Sequence, residues 1–517
     1  MQIIIPMSGI GKRFIDDGYI IPKPLIVVND EPIINHVINL FPHETKFHFI
    51  CNDSHLSHFP MREILLKKVP SGSIHSVSVN NRKGPVDAVL QISDSISDDD
   101  EVIVSYCDYG TEWDYKEFLR DVRFNNVDGA IAAYVGFHPH MLGSDNYAFM
   151  THVNKWVTDI QEKKPFTENK MNEYASNGTY YFKTGLIMKH YFHKLVEQKM
   201  DINGEYYVSL AYKLMCQDSM RIRIFEIQKM LQWGTPSDLE EYLQWSDYFK
   251  KKKTQQIQPP DTLHCTTILP MAGAGSRFQM EGYSTPKPLL PIHEQPMFIE
   301  AIECLPKSEH IVVVCQKTHL DAFPIKDLVS EKWNGTTIAI DHVTEGQACT
   351  CEIALRDISN SIPLNLPILI TACDNGVYYN IEKYTNLVND LSIDVIVWAF
   401  TNNPTSKRFP HMYAWLDVDS SGNIHDVSIK KPFIDKPNTH AIIGTMFFRR
   451  GQLFMEGLQD IYKNNIRTNN EFYVDNLLVP LIQKGYSVKV FEVDHYLCWG
   501  TPNDYKTYVY WDEHFNH

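Results

Sequence analysis

Short apolar runs rich in Ile, Val and Phe alternate along this chain with stretches in which apolar residues recur every three or four positions. Gln2–Pro6, Phe47–Cys51, Glu101–Tyr106, Gly129–Tyr134 and Tyr180–Phe182 read as strands, and so do Thr267–Pro270, Ile311–Cys315, Pro367–Ala372 and Val395–Phe400. Between them Ile33–Leu40, Val86–Ser93 and Tyr207–Met215 read as helices. Near-continuous apolar strands separated by helices predict an α/β fold, a mostly parallel mixed sheet covered on both faces. In such sheets chemistry collects at the carboxyl ends of the strands. No apolar run approaches the roughly 18–20 residues of a spanning helix. A strand-like run starts at Ile3, so no leader is expected either, and a cytoplasmic location follows.

The pattern occurs twice. Residues 4–28 read IIPMSGIGKRFIDDGYIIPKPLIVV, and residues 268–292 read ILPMAGAGSRFQMEGYSTPKPLLPI. Gly9, Gly11, Arg13 and Lys23 match Gly273, Gly275, Arg277 and Lys287 at a constant offset of 264. Asp108 matches Asp374, and Trp-Gly-Thr-Pro at 233–236 returns at 499–502, both at 266. An offset that drifts so little means a duplicated domain with a few loop insertions, not a solenoid. The polar, Pro-bearing stretch after Lys250 lacks any hydrophobic period. The expected organisation is therefore domain 1 over residues 1–250, a linker over 251–264 and domain 2 over 265–517.

Composition sharpens this. At 517 residues the chain exceeds a single core, and 44% hydrophobic with 21% charged residues is globular composition. The net charge of −15 argues against a nucleic-acid surface, and no membrane partner is expected. Ten Cys without a CxxC array are expected to be reduced thiols.

Candidate chemistry begins at the loop Gly9-x-Gly11-x-Arg13-Phe14 and its copy Gly273-x-Gly275-x-Arg277-Phe278, each directly after a strand. Glycines let backbone N–H groups approach a phosphate, and Arg supplies a planar donor fork. A third Gly and a Gly-Lys-Ser/Thr ending are both absent, so neither a dinucleotide fingerprint nor a Walker loop is present. Ten residues later Pro22-Lys23-Pro24 and Pro286-Lys287-Pro288 hold a Lys on a stiffened segment. Loop and Lys together suggest a triphosphate clamp.

A strand, then GxGxR-F, then PKPL resembles the opening of the sugar-phosphate nucleotidylyltransferases, the NDP-sugar pyrophosphorylases, and their relatives acting on alcohol phosphates. The resemblance covers both halves nearly end to end. It implies two tandem Rossmann-like, GT-A-like nucleotidyltransferase domains. By the same resemblance Arg13, Lys23, Arg277 and Lys287 are catalytic, and Gly9, Gly11, Gly273 and Gly275 hold the NTP phosphates. The base-contacting segment corresponds to Lys83-Gly84-Pro85-Val86 and Glu345-Gly346-Gln347-Ala348, with Gly84, Gly346 and Gln347 as nucleotide-binding residues. Lys164 and Lys431, in Lys-Lys-Pro strings, match the Lys that meets the acceptor phosphate; Lys163 and Lys430 stand where many relatives have a sugar-contacting Glu. Gly178, Glu205, Gly444 and Glu471 complete the implied acceptor site.

The family places a metal-binding Asp after a central strand, which selects Asp108 and Asp374 as ligands for Mg²⁺. A second carboxylate is expected only from Asp494, whose aligned residue in the first half is Gln228. The implied reaction is NTP plus a sugar 1-phosphate or similar phosphorylated acceptor, giving NDP-R and pyrophosphate for polysaccharide or capsule precursors. The two halves could use different acceptors. Two alternatives stay open: one catalytic half beside a nucleotide-binding regulatory half, or a glycosyltransferase using NDP-sugars. A homo-oligomer is compatible with all of these. The sequence does not name the base, the acceptor or the pathway.

Overall fold

The structure, a computed structural model, describes residues 1–78, 83–254, 263–359, 361–433 and 439–516. The chain divides into two compact units, Met1–Ser246 and Asp247–His517. The helix Pro236–Thr254 runs across that division. Lys251–Lys253, expected to open the linker, form its last turn, and Asp238 lies in its first. This distribution suits the helix dipole, which the polar composition alone does not reveal. At the other end of the expected linker, Leu263 and His264 already belong to the strand Leu263–Met271; residues 255–262 lie outside the described residues.

In the first unit a nine-stranded sheet has the order Ser73–Val77, Lys46–Asn52, Gln2–Met7, Val102–Ser105, Tyr174–Phe182, Gly129–Tyr134, Ile222–Glu226, Trp156–Glu162, Ala148–Val153. The first four strands are mutually parallel. Tyr174–Phe182 then pairs antiparallel with both neighbours. The hairpin Ala148–Val153/Trp156–Glu162 adds another antiparallel pair through a turn in which Asn154 and Lys155 both have positive φ. A two-residue turn of that kind can only join antiparallel strands. The sheet is therefore parallel on one side and largely antiparallel on the other, more mixed than the strand–helix alternation predicts.

The second unit repeats the order: Thr336–Ile340, Ser308–Gln316, Leu263–Met271, Ile368–Ile370, Thr439–Phe448, Val395–Phe400, Val488–Glu492, with Ala414–Val418 and Ile424–Ile429 alongside. Val395–Phe400 spans the expected residues, and most other predicted strands are found with shifted ends.

The central strands are buried on both faces, with Ile3, Ile4 and Ile5 all fully covered. Ile4, Val104 and Ile131 pack with Val86, Val89, Tyr212 and Leu214 from helices on one face. The apolar runs thus work as the sheet's two-sided core. What remains solvated is the strands' carboxyl ends, where the glycine loops begin.

Candidate active site

The strand Gln2–Met7 ends in a loop that turns at Gly11, in the left-handed region at φ 70°, and enters the short helix Lys12–Asp16. In the second unit Gly275 does the same at φ 63° before Ser276–Met280. A side chain at either glycine would be strained. A Cβ on Gly11 would also stand 3.5 Å from Cβ of Lys23, and one on Gly275 3.7 Å from Cβ of Lys287. The loop and the lysine therefore pack directly on each other. Arg13 and Arg277 ride on the short helices and are exposed.

Pro22 and Pro286 cap one-turn 3-10 helices, Lys23–Leu25 and Lys287–Leu289. The lysines reach the carboxylates expected to hold a metal: Lys23 Nζ donates to Asp108 Oδ2 at 2.6 Å, and Lys287 Nζ to Asp374 Oδ2 at 2.7 Å. Burial alone would lower the pKa of each lysine, but the adjacent carboxylate outweighs it and the net shift is upward. Burial likewise pushes Asp374 up, and Lys287 more than reverses this, holding the carboxyl below its ordinary value.

Each Asp sits between a sheet strand and a small ribbon. Tyr109–Glu112 pairs with Lys229–Gln232, and Asn375–Tyr378 with His495–Cys498. The ribbon folds Trp-Gly-Thr-Pro back onto the carboxylate: Trp233 N donates to Asp108 O at 3.1 Å and Trp499 N to Asp374 O at 2.9 Å. A Cβ on Gly234 would lie 2.9 Å from Asp108 Oδ2, and one on Gly500 3.2 Å from Asp374 Oδ2. These glycines are part of the site although no chemistry-bearing side chain marks them. The repeated tetrapeptide was the available signal.

The ribbon also corrects the expectation for Asp494. In the ladder Asn375 faces Cys498 and Tyr378 faces His495, so Asp494 stands beyond the far end, its N–H on Tyr378 O at 2.9 Å. At about 3.4 Å per residue, five rows place it on the order of 15 Å from Asp374. It does not complete a two-carboxylate site there. Among the described residues no group of three or more His, Cys, Asp or Glu is arranged to hold a metal.

A cavity of about 710 Å³ in the first unit gathers most of the first-half candidates: Gly9, Gly11, Arg13, Lys23, Gly84, Asp108, Gly178 and Glu205. Lys164 is not among them and is exposed; Lys163 lines the cavity instead. The cause is local. Lys163 takes φ 57° at the end of its strand and its N–H donates to Tyr147 O at 2.8 Å, a kink that brings its own side chain inward. Lys430 repeats this at φ 64°, with its N–H on Tyr413 O at 3.0 Å, and Lys431 is exposed. The inward lysine is thus the first of each Lys-Lys-Pro string. Lys163 Nζ donates to Tyr207 Oη at 2.5 Å and lies 4.2 Å from that ring's centre. Burial lowers the pKa of Lys430, Asp475 opposes this, and Arg277 adds to it. Arg277 lowers the pKa of Lys287 in the same way.

Gly84 and Gly346, at φ 92° and 131°, precede the helices Pro85–Leu90 and Gln347–Ile358. Any Cβ there would collide with backbone, 2.7 Å from Tyr206 N or 2.5 Å from Phe472 O. Gln347 is half-buried as the first residue of its helix. Glu205 and Glu471 follow tight Asn-Gly and Asn-Asn turns rather than sitting in a helix's first turn, and Tyr207 Oη donates to Glu205. Gly178 and Gly444, at φ 98° and 94°, bend their strands under the site.

No described helix is long and apolar enough to cross a membrane. A model of the nucleotidyl transferase family matches residues 3–247. No curated protein matches the chain. Among solved structures it is similar to the nucleoside-diphosphate-sugar pyrophosphorylase from Vibrio cholerae RC9, with 19% identity and a TM-score of 0.39, covering 47% of this chain and 99% of that one. It is similar to a UDP-glucose pyrophosphorylase complexed with UDP-glucose, at 17% identity and a TM-score of 0.39 over 48% of this chain and 98% of that one. It is also similar to the inositol-1-phosphate CTP transferase from T. maritima, at 14% identity and 0.37 over 48% and 97%. The nucleotidyl transferase family match thus falls on residues 3–247, within the first half of the chain.

Proposed function

We propose that each unit transfers a nucleoside monophosphate from an NTP to a small phosphorylated acceptor and releases pyrophosphate. The observation that carries this reading is the same pairing in both units: a glycine loop packed on a lysine whose Nζ holds a strand-end Asp. An oxygen of the acceptor phosphate bonds to the α-phosphorus, and the bond from that phosphorus to the bridging oxygen breaks. Pyrophosphate leaves with the electron pair. The nucleophile is already an anion, so no Ser, Cys or His nucleophile is required. Catalysis is then positioning plus charge stabilisation.

In this reading the loop N–H groups with Arg13 or Arg277 hold the outer phosphates. Lys23 or Lys287 stabilises charge at the reacting phosphate. Lys163 or Lys430 takes the acceptor phosphate, in place of Lys164 and Lys431. A lone carboxylate, Asp108 or Asp374, fits Mg²⁺ only when nucleotide phosphates and water supply the other ligands. Mg²⁺ bound that way would neutralise triphosphate charge. Asp494 stands at the ribbon's far end, so its contrast with Gln228 does not single out one half as the catalytic one. A sugar or polyol phosphate is the acceptor class, and a precursor for polysaccharide is the product class that follows.

The test is pyrophosphate release by the full chain with each of four NTPs and a panel of sugar and alcohol phosphates. Lys23→Ala and Lys287→Ala are each expected to remove one unit's activity by about 10²–10³-fold. A double variant that releases pyrophosphate at the wild-type rate would sink the reading.

A further inference from the structure

The turn that carries Glu471 in the second unit is built around one arginine. Thr468 and Glu471 exchange backbone hydrogen bonds across Asn469 and Asn470, both at positive φ, 51° and 64°. Arg467 stands just before this turn, and its guanidinium engages three partners. Nη1 donates to Asn470 O at 2.9 Å, Nε to Asn465 Oδ1 at 2.8 Å, and Nη2 to Glu345 Oε2. Its central carbon lies 3.9 Å from the centre of the Phe472 ring. The first two contacts close the acceptor turn on itself. The third crosses to the nucleotide segment, since Glu345 directly precedes Gly346. Phe472 belongs to the same crossing: its N–H donates to Glu345 O at 2.8 Å, and its carbonyl accepts from Ala348 N at 3.0 Å. The Phe472 ring meets Tyr462 edge-on at 4.7 Å, and Tyr462 Oη donates to Glu352 Oε2 at 2.8 Å on the helix Gln347–Ile358.

Of these side chains the first unit keeps only the aromatic ring, as Tyr206. The backbone register places Lys83 at the position of Glu345 and Leu90 at that of Glu352. The matching bridges Ile202–Glu205 and Thr468–Glu471 place Asp201 at the position of Arg467. Val196, in the helix Gly185–Glu197 that matches Gly451–Lys463, stands for Tyr462. The signs of charge at the two crossing positions are therefore reversed. Asp201 accepts from Gly204 N at 2.7 Å, so it closes its own turn.

Resting on the nucleotidyl-transfer reading, we propose that Arg467 is a positioning residue of the second unit. It locks the acceptor turn to the nucleotide segment through Glu345 and Phe472, so that a nucleotide ordering one segment also orders the other. The planar guanidinium makes this possible, because it offers five N–H groups in a fixed fork and a flat face to the ring at once. An ammonium group has no such face. An exposed ion pair by itself contributes little. Arg467, however, is already held by two hydrogen bonds to its own turn before it reaches Glu345. Little further side-chain freedom is lost when the crossing contact forms. The coupling passes only through groups that touch, and it ends on Gln347, the first residue of the helix behind Gly346.

The test is hydrogen–deuterium exchange on the full chain, read at the amides of residues 345–350 and 468–473. The probes are the α,β-methylene analogues of the four NTPs. Without nucleotide the two segments are expected to open together, with a shared protection factor. The analogue that binds should slow exchange in both by at least about fivefold. Arg467→Lys and Glu345→Gln should each give the two segments separate protection factors and confine the nucleotide's effect to 345–350. Thermal midpoints of both variants should stay within about 4 °C of the parent. An arginine with a merely structural role would change the rates of the turn without removing the nucleotide's effect there. Glu345→Gln, an exposed change, supplies the same readout if Arg467→Lys does not fold. Independent opening of the two segments in the parent, or parent-like coupling in either folded variant, overturns the proposal. If no analogue binds and no NTP yields pyrophosphate, the transfer reading falls instead, and the nucleotide-free protection factors still decide whether Arg467 joins the segments.

Discussion

A single atom decides most at the residue scale. Gly234 and Gly500 leave room for an Asp oxygen at a distance where a Cβ would force it aside. Gly500→Ala is expected to lower pyrophosphate release by the second unit about tenfold or more, because a displacement near 1 Å is enough to misplace a reacting group. The thermal midpoint should move little, since the contact is with a side chain. Asp475 offers a second test at this scale. Its pKa is pushed up to about 6 from 3.8 by burial, against the pull of Lys430. Lys430 faces it from the hairpin, and Arg277 bears on Lys430 in turn. The carboxylate form is therefore reached only above about 6. Between pH 3.8 and about 6 the native state holds a proton that the unfolded chain has released, so this residue's contribution is lost as pH rises through that window. Urea midpoints of parent and Asn variant at pH 4.5 and 7 measure it.

Elements place these residues. The glycine before each base-segment helix sits against a returning strand of backbone: Tyr206 N donates to Lys83 O at 2.7 Å, and Phe472 N to Glu345 O at 2.8 Å. That pair of hydrogen bonds ties the nucleotide segment to the acceptor turn. Gly84→Ala and Gly346→Ala demand positive φ from a residue with a Cβ, costing about 1–2 kcal/mol, and break into that backbone contact as well. Each should lower the thermal midpoint by several degrees and weaken both NTP and acceptor binding, which calorimetry and titration would show together. Loss of NTP binding alone would mean the two segments are not coupled. At this scale the reading from sequence was good for the apolar strands and poorer for connections. Lys164 and Lys431 were selected because a Lys-Pro string suggests the second lysine. The positive φ at Lys163 and Lys430 reverses the choice, and non-Gly residues give little warning of it.

Over the whole molecule, a net charge of −15 contains a set of cations repeated once per unit. If both units are complete, the chain binds two equivalents of a non-hydrolysable NTP analogue. A stoichiometry of one in calorimetry would return one half to a regulatory role. The repeat itself was legible directly as two strings at a near-constant offset, and the two units share the order of their central strands. The division between the units was less so: the basic run that looks like the start of a linker is the end of a helix, because lysines in a last turn satisfy the dipole and solvent at once.

What the sequence determined by itself was the duplicated α/β plan, the two glycine loops, and the lysines and Asp residues that follow them, because strand periodicity and short motifs depend on neighbours in the chain. Only the tertiary structure decided which lysine of a pair turns inward and that Asp494 stands far from Asp374. Those are distances between residues far apart in the chain, set by ladder register and by single backbone dihedrals, and no local pattern carries them.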